Sequence, residues 1–207
     1  MTTKIAIQGI KGSFHHQVVK EYFSENVDID ECLSFEELID SLIAGKSDQA
    51  VMAIENSIAG SILPNYNLIQ KSNLQVIGEV YLSISQNLMV HPGVQLKDIK
   101  EVHSHPMAIL QCLDYLEQYD WKLVESDDTA LSAKMVHQQK SKHIAAIASK
   151  LAAELFNLEI LAPDIQTQKN NITRFLILQR TKEAQPIIGD YKCFIFFDYF
   201  NSKVILS

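Results

Sequence analysis

Five times along this chain a short, β-prone apolar run gives way to a turn of small polar residues that opens a more amphipathic stretch. The turns are Gly9–Ser13, Glu55–Ser61, Ser104–Pro106, Asp127–Thr129 and the single residue Ser149. This alternation is the pattern of an α/β protein, because a strand feeding a helix through a short turn buries one face of each on the other. "KIAIQ" (4–8), "QAVMAIE" (49–55), "WKLVES" (121–126), "HIAAIA" (143–148) and "ITRFLILQ" (172–179) read as strands, and "EVHSHP" (101–106) as a short strand ending at a helix start. Helices are expected over 13–23, opened by Ser13, and over 35–46, where Leu38, Leu42 and Ile43 share a face and Gly45 supplies the stop. Others start at Pro106, with Ile109, Leu110, Leu113 and Leu116 as the apolar stripe, at Thr129 after a cap at Asp127 or Asp128, and at Lys150 after Ser149. The run 74–90 is too β-rich for a helix and is expected as two strands bent near Gly78.

In open α/β sheets, turns of this kind line the crevice at the carboxyl ends of the strands. Helix N-termini there present free N–H groups and the positive end of a dipole, which suits a small anion. Three segments stand out, and "IENSIAGS" has more hydrogen-bonding side chains than a turn requires. "GIKGSF" (9–14) is a glycine turn into a helix, with neither the Gly-Lys-Ser/Thr of a Walker loop nor the third glycine of a dinucleotide fingerprint. "IENSIAGS" (54–61) sets Glu55, Asn56 and Ser57 directly after an apolar strand. "NNITRF" (170–175) puts Arg174 at the mouth of a buried strand, in a chain with two arginines against sixteen lysines. In isolation, a helix cap explains Ser104, His105 and Thr129, and a strand-edge ion pair explains Arg174.

Several function classes are disfavoured. A formal net charge of −7 and the lack of a basic run argue against nucleic acid. No stretch reaches the roughly 18–20 apolar residues of a membrane span, and "MTTKIAIQGI" lacks a signal peptide's apolar run and cleavage site. Cys32, Cys112 and Cys193 are odd in number and widely spaced, which reads as a reduced, cytoplasmic protein. The histidine pairs His15/His16 and His103/His105 lack the i,i+4 spacing of helix-borne ligands, so no metal is expected. Asn171-Ile172-Thr173 matches a glycosylation sequon by accident.

Together the turns resemble the prephenate dehydratase family, in its motif order: "GIKGSF", "IENSIAGS", "SHP" with Gln111, Thr129-Ala130 with Ala133, "AAIAS" and "NNITRF", over roughly residues 4–180. The resemblance implies an α/β, two-lobed fold of the type II periplasmic-binding-protein kind, with the active site in the interlobe cleft. It implies a catalytic domain over 1–185, with one lobe at about 1–80 plus 165–185 and the other at about 81–164. The activity implied is decarboxylating dehydration of prephenate to phenylpyruvate, water and carbon dioxide, driven by aromatisation and needing no cofactor. Thr173 is implied as the catalytic threonine, a hydrogen-bond donor to the departing oxygen. Arg174, Phe175, Asn171, Glu55, Asn56, Ser57, Ser104, His105, Gly12, Ser13 and Thr129 are implied as substrate-binding.

A guanidinium suits a dianion because it grips a carboxylate bidentately. Strand alternation sets a constraint, however: in a regular strand Thr173 and Phe175 face one side and Arg174 the other. The proton donor beside Thr173 is left open between His105 and Glu55. Two positions depart from the family's pattern: Asp128 stands where a serine is usual, and His15 where a serine often follows "GSF". The segment 186–207 is too short for the ACT domain that commonly follows and is expected as an incomplete remnant, without phenylalanine control, that packs on the lobes or pairs with a second copy in a homo-oligomer. Arogenate dehydratase and a non-catalytic small-anion-binding protein of the same fold are the rival readings.

Overall fold

A computed structural model describes residues 2–23 and 26–181, together with two short strands, Ile195–Phe197 and Val204–Leu206, that pair antiparallel with each other. The rest of the expected 186–207 remnant lies outside the described residues.

Two mixed sheets carry the fold. The first contains β1 (Thr3–Gln8), β2 (Val27–Cys32), β3 (Gln49–Asn56), β4 (Gly60–Ser61), β5 (Leu74–Ser83) and β11 (Ile172–Arg180). Its order is β2-β1-β3-β11-β5, with β4 against the end of β3. β1 runs parallel to both neighbours, whereas β11 is antiparallel to β3 and β5. The second sheet has the order β10-β6-β9-β7-β8, from β6 (Asn87–Val90), β7 (Glu101–Ser104), β8 (Lys122–Glu125), β9 (Ile144–Ala148) and β10 (Glu159–Ala162). The chain crosses between the sheets twice, after Ser83 and after Ala162. Sheet and helix stack as the alternation requires, and each sheet is covered on both faces. Along β11, Phe175 and Ile177 enter a cluster with Ile5, Ile7, Val18 and Val51, while Leu176 and Leu178 enter one with Leu38, Leu42, Met52 and Ile54. A strand buried on both faces reads as a continuous apolar run, as "FLIL" does.

The helices on the first sheet are α1 (Phe14–Tyr22), α2 (Phe35–Ile43) and α3 (Leu63–Ser72). Those on the second are α4 (Pro106–Gln111), α5 (Leu113–Leu116), α6 (Thr129–Gln139) and α7 (Lys150–Leu155). Their N-caps follow the sequence. Ser13, Ser34, Asp128 and Ser149 each accept a hydrogen bond from the backbone N–H three residues on, and His105 Nδ1 accepts from Met107 N–H.

Three expectations are corrected. The 74–90 run forms two strands, as expected, and the ladder is irregular beside Gly78, but the break between the strands falls after Ser83, where the chain crosses to the second sheet. Gly78 lets the Tyr22 ring lie against the strand, its hydroxyl 2.4 Å from where a Cβ would be. The expected single helix after Pro106 is broken at Cys112 into α4 and α5. Leu110 leaves the predicted stripe: it is 58% exposed, whereas Ile109 and Leu116 are buried. Among the described residues no helix is long and apolar enough to cross a membrane.

Candidate active site

Thr173 stands near the start of β11, opposite Asn56 at the end of β3. Its oxygen is held in a fixed hydrogen bond. Asn56 Oδ1 accepts from the N–H groups of Ile58 (3.0 Å) and Ala59 (2.9 Å), which fixes the amide so that Nδ2 faces β11. Asn56 Nδ2 then donates to Thr173 Oγ1 at 2.9 Å and to Asn171 Oδ1 at 2.7 Å. Asn171 Nδ2 donates to Gln111 Oε1 at 3.0 Å, and Gln86 Nε2 donates to the same oxygen at 3.3 Å. A chain of amides from both sheets thus ends by filling an acceptor position on Thr173. The proton of that hydroxyl is left for whatever occupies the space in front of it.

That space is a cleft of about 320 Å³ between the sheets. From the first sheet it is lined by Gln8, Ser13, Phe14, His15, Phe35, Ala53, Asn56, Ile62, Ile84, Thr173 and Phe175. From the crossing and the second sheet it is lined by Gln86, His105, Met107, Ala108, Gln111, Asp127, Asp128 and Thr129. Its volume suits a small molecule. Of the residues expected at the site, Thr173, Phe175, Asn56, Ser13, His105 and Thr129 border the cleft.

The remaining six do not, each for a visible reason. Arg174 points to the opposite side of β11, as alternation demands, and its guanidinium is held by Glu79 at 2.8 and 3.0 Å, with Glu55 at 3.8 Å and the Tyr81 ring beneath it. Glu55 lies with it on that side. The backbone is irregular here, with a register shift between Arg174 and Phe175, but the irregularity does not turn Arg174 inward. Ser57 ties two loops together: its Oγ accepts from Ile172 N–H and donates to Asn170 O. Ser104 is fully buried and donates to Ile147 O at 2.7 Å. Asn171 is fully buried within the amide chain. Gly12 holds the two halves of the molecule together: its carbonyl accepts from Ser149 Oγ at 2.6 Å, and a Cβ on it would lie 3.2 Å from Ala152 Cα.

Other lining residues carried no role in the sequence reading. His15 lies under Phe175, edge to face at 5.0 Å, and its Nε2 accepts from Ala53 N–H. Burial pushes its pKa from 6.5 down to about 3, so the ring is neutral. Asp127 and Asp128 read as caps, and Asp128 is one: its Oδ1 accepts from Leu131 N–H at 2.8 Å. Burial nevertheless holds the Asp128 carboxyl above its ordinary range. Gln111 belonged to a motif, but nothing in the sequence marked Gln86, Phe35 or Ile84.

A sequence profile of prephenate dehydratase matches residues 5–183, nearly the whole of this architecture. The chain belongs to the prephenate dehydratase family. It is 37% identical over 185 residues to arogenate dehydratase 2 of Petunia hybrida, covering 89% of this chain and 46% of that protein. To the bifunctional chorismate mutase/prephenate dehydratase of Escherichia coli K12 it is 33% identical over 183 residues, covering 86% of this chain and 47% of that one. It therefore spans about half the length of the curated relatives it matches. Among solved structures, a prephenate dehydratase from Arthrobacter aurescens in complex with L-Phe superposes with a TM-score of 0.81 at 26% identity, covering 90% of this chain and 63% of that one. Family and fold agree with the resemblance drawn from the motifs.

Proposed function

We propose that this chain catalyses the decarboxylating dehydration of prephenate to phenylpyruvate, water and carbon dioxide. The observation that carries the reading is the polarity of Thr173, which borders the cleft and whose oxygen accepts from Asn56, leaving its proton available to a substrate there. A threonine hydroxyl is too weak an acid to give that proton away. It stabilises charge growing on the departing oxygen through a fixed hydrogen bond, which is strongest in the transition state. The substrate dianion takes up one proton overall as carbon dioxide and water leave. His105 is the candidate to supply it, since Glu55 faces away with Arg174. With Nδ1 accepting from Met107 N–H, a neutral His105 offers Nε2–H as a hydrogen-bond donor; to give a proton away the ring must first take one up on Nδ1 and release that cap contact. The N-termini of α1 and α6 offer N–H groups to the substrate's carboxylates. The aromatic floor of Phe175 and Phe35 faces the ring.

Arogenate, which carries an amino group in place of the keto group, undergoes the same chemistry and is the second reading, favoured by the likeness to the petunia protein. A non-catalytic binding protein of this fold would have no use for the oriented hydroxyl. We read residues 1–185 as the catalytic domain, its lobes divided at about 80 and 165. We further read the chain as a cytoplasmic homo-oligomer, with 186–207 as part of a regulatory-type domain. Incubating the purified chain with prephenate and following phenylpyruvate absorbance tests the activity. A rate equal to the uncatalysed one would put the binding-protein reading in front.

A further inference from the structure

The cleft is lined by the carboxylates of Asp127 and Asp128 and by no lysine or arginine. A dianionic substrate therefore has to be met there by neutral N–H donors. His15 is one. Its Nε2 accepts from Ala53 N–H at 3.4 Å and burial keeps the ring neutral, so its one proton sits on Nδ1. That N–H meets no acceptor among the described residues. His15 is 8% exposed, and the one fully enclosed side-chain polar atom without a partner among the described residues is Gln86 Oε1. The unpaired Nδ1 of His15 thus keeps access to the open space that the residue borders, which is the cleft.

Main-chain donors lie beside it. α1 has nine residues and starts at the cleft wall. Ser13 Oγ accepts from His16 N–H, whereas the N–H groups of Phe14 and His15, the first two of the helix, meet no acceptor among the described residues. A buried imidazole N–H and the open first turn of a helix together suit one carboxylate.

Prephenate has two. The ring carboxylate leaves as carbon dioxide, and a donor bound to it would lose the charge it holds in the transition state and oppose the reaction. The side-chain carboxylate keeps its charge throughout, so gripping it binds ground state and transition state alike. The placement agrees. Thr173 and Phe175 both border the cleft and stand two residues, about 7 Å, apart along β11. His15 lies against the Phe175 ring at 5.0 Å. With the ring hydroxyl at Thr173, the side chain at the opposite corner of the six-membered ring extends toward His15. Resting on the dehydratase reading above, we propose that His15 is a substrate-binding residue whose Nδ1–H, with the first turn of α1, holds the side-chain carboxylate that passes unchanged into the product.

Phenylpyruvate, which keeps the side-chain carboxylate and lacks the ring one, is the probe. Calorimetry measures its Kd for the parent, His15→Gln, His15→Asn and His15→Ala, alongside steady-state kinetics with prephenate. Glutamine can keep the Ala53 contact through Oε1 but has no donor at the Nδ1 position; asparagine places Nδ2 there and gives up Ala53. In His15→Gln and His15→Ala, the Kd for phenylpyruvate and the KM for prephenate should both rise by about 10- to 100-fold, as loss of a hydrogen bond to a charged group implies. The kcat should stay near the parent's, and His15→Asn should bind nearly as the parent does. A merely structural role would reverse the order, sparing glutamine rather than asparagine, and would overturn the proposal. So would a parent without affinity for phenylpyruvate, or a loss confined to prephenate, which would move the donor to the ring carboxylate. Should His15→Gln fail to fold, His15→Asn and His15→Ala both lack the Ala53 contact, differ in the donor, and decide the same question. Phenylpyruvate binding does not depend on turnover, so a parent that binds it through His15 but leaves prephenate unconverted would overturn the dehydratase reading alone.

Discussion

Thr173 and Arg174 are adjacent in sequence, yet alternation sends them to opposite faces of β11. Their variants should therefore separate chemistry from stability. Thr173→Ala should lower kcat by about 10²–10³ while substrate binding changes little, because the hydrogen bond it removes strengthens only as the oxygen departs. Asn56→Asp should cost about as much in kcat. The introduced carboxylate can only accept, so it would draw the Thr173 proton away from the cleft. Steady-state kinetics checks both, and a kcat near the parent's in Asn56→Asp would show that the hydroxyl's orientation does not matter. Arg174→Lys should act on stability. It breaks a forked contact to Glu79 in a side chain that is 18% exposed, which should cost about 1–3 kcal/mol in urea unfolding. The Michaelis constant should stay near the parent's, since the guanidinium faces away from the cleft.

The elements read from sequence were those with a cap, a glycine stop or an unbroken apolar run. Those that escaped lacked such marks. β2 and β10 are edge strands, and "VDIDEC" carries three acids in six residues, Asp28 and Glu31 exposed and Asp30 buried against Ser41 and Ser47. α3 begins after Ile62 with no side-chain cap, and only Pro64 in its first turn marks the start. The candidate site was legible where a motif bordered a strand, as at Asn56 and His105 after β3 and β7 and at Thr173 near the start of β11. It was illegible where residues far apart in sequence converge, as Phe35, Ile84 and Gln86 do, because periodicity holds no information on which helix meets which crossing. At the glycine turn 9–13 the structural reading has a visible reason in packing. Gly12, at φ +100°, lets α7 come against the first turn, and Gly12→Ala should lose about 1–3 kcal/mol by both strain and contact with the Ala152 backbone. Calorimetry of the variant checks this. An unchanged melting temperature would mean that the turn and α7 separate at little cost.

At the scale of the whole molecule, His15 ties the cleft's floor to acid stability. Its native pKa of about 3 lies below the unfolded 6.5, so between those values the unfolded chain binds a proton that the native chain refuses. Stability is therefore full above pH 6.5 and falls as pH drops toward 3. Asp30 works in the same direction lower down. Although burial opposes its charge, hydrogen bonds from Ser41 and Ser47 and the Lys4 ammonium hold its pKa at about 2, so its contribution is lost only below the unfolded 3.8. Urea midpoints from pH 7 to 4 should fall steeply for the parent and more gently for His15→Ser. Equal slopes would place the loss elsewhere.

β11, the late strand, fills the gap between β3 and β5 and bonds to both. Until residues 172–180 arrive, those strands face each other across an empty lane, with main-chain groups and apolar side chains open to any passing strand. On the ribosome, the first sheet must therefore wait, nearly complete, while the whole second sheet is made and folded. Long-range closure of this kind is slow, and the interval before it is when the chain is most exposed to aggregation. The threonine that ends the amide relay arrives on that same strand. The molecule thus acquires its reactive hydroxyl in the step that seals its sheet, and a nascent chain that stalls before it holds a cleft with no means of catalysis.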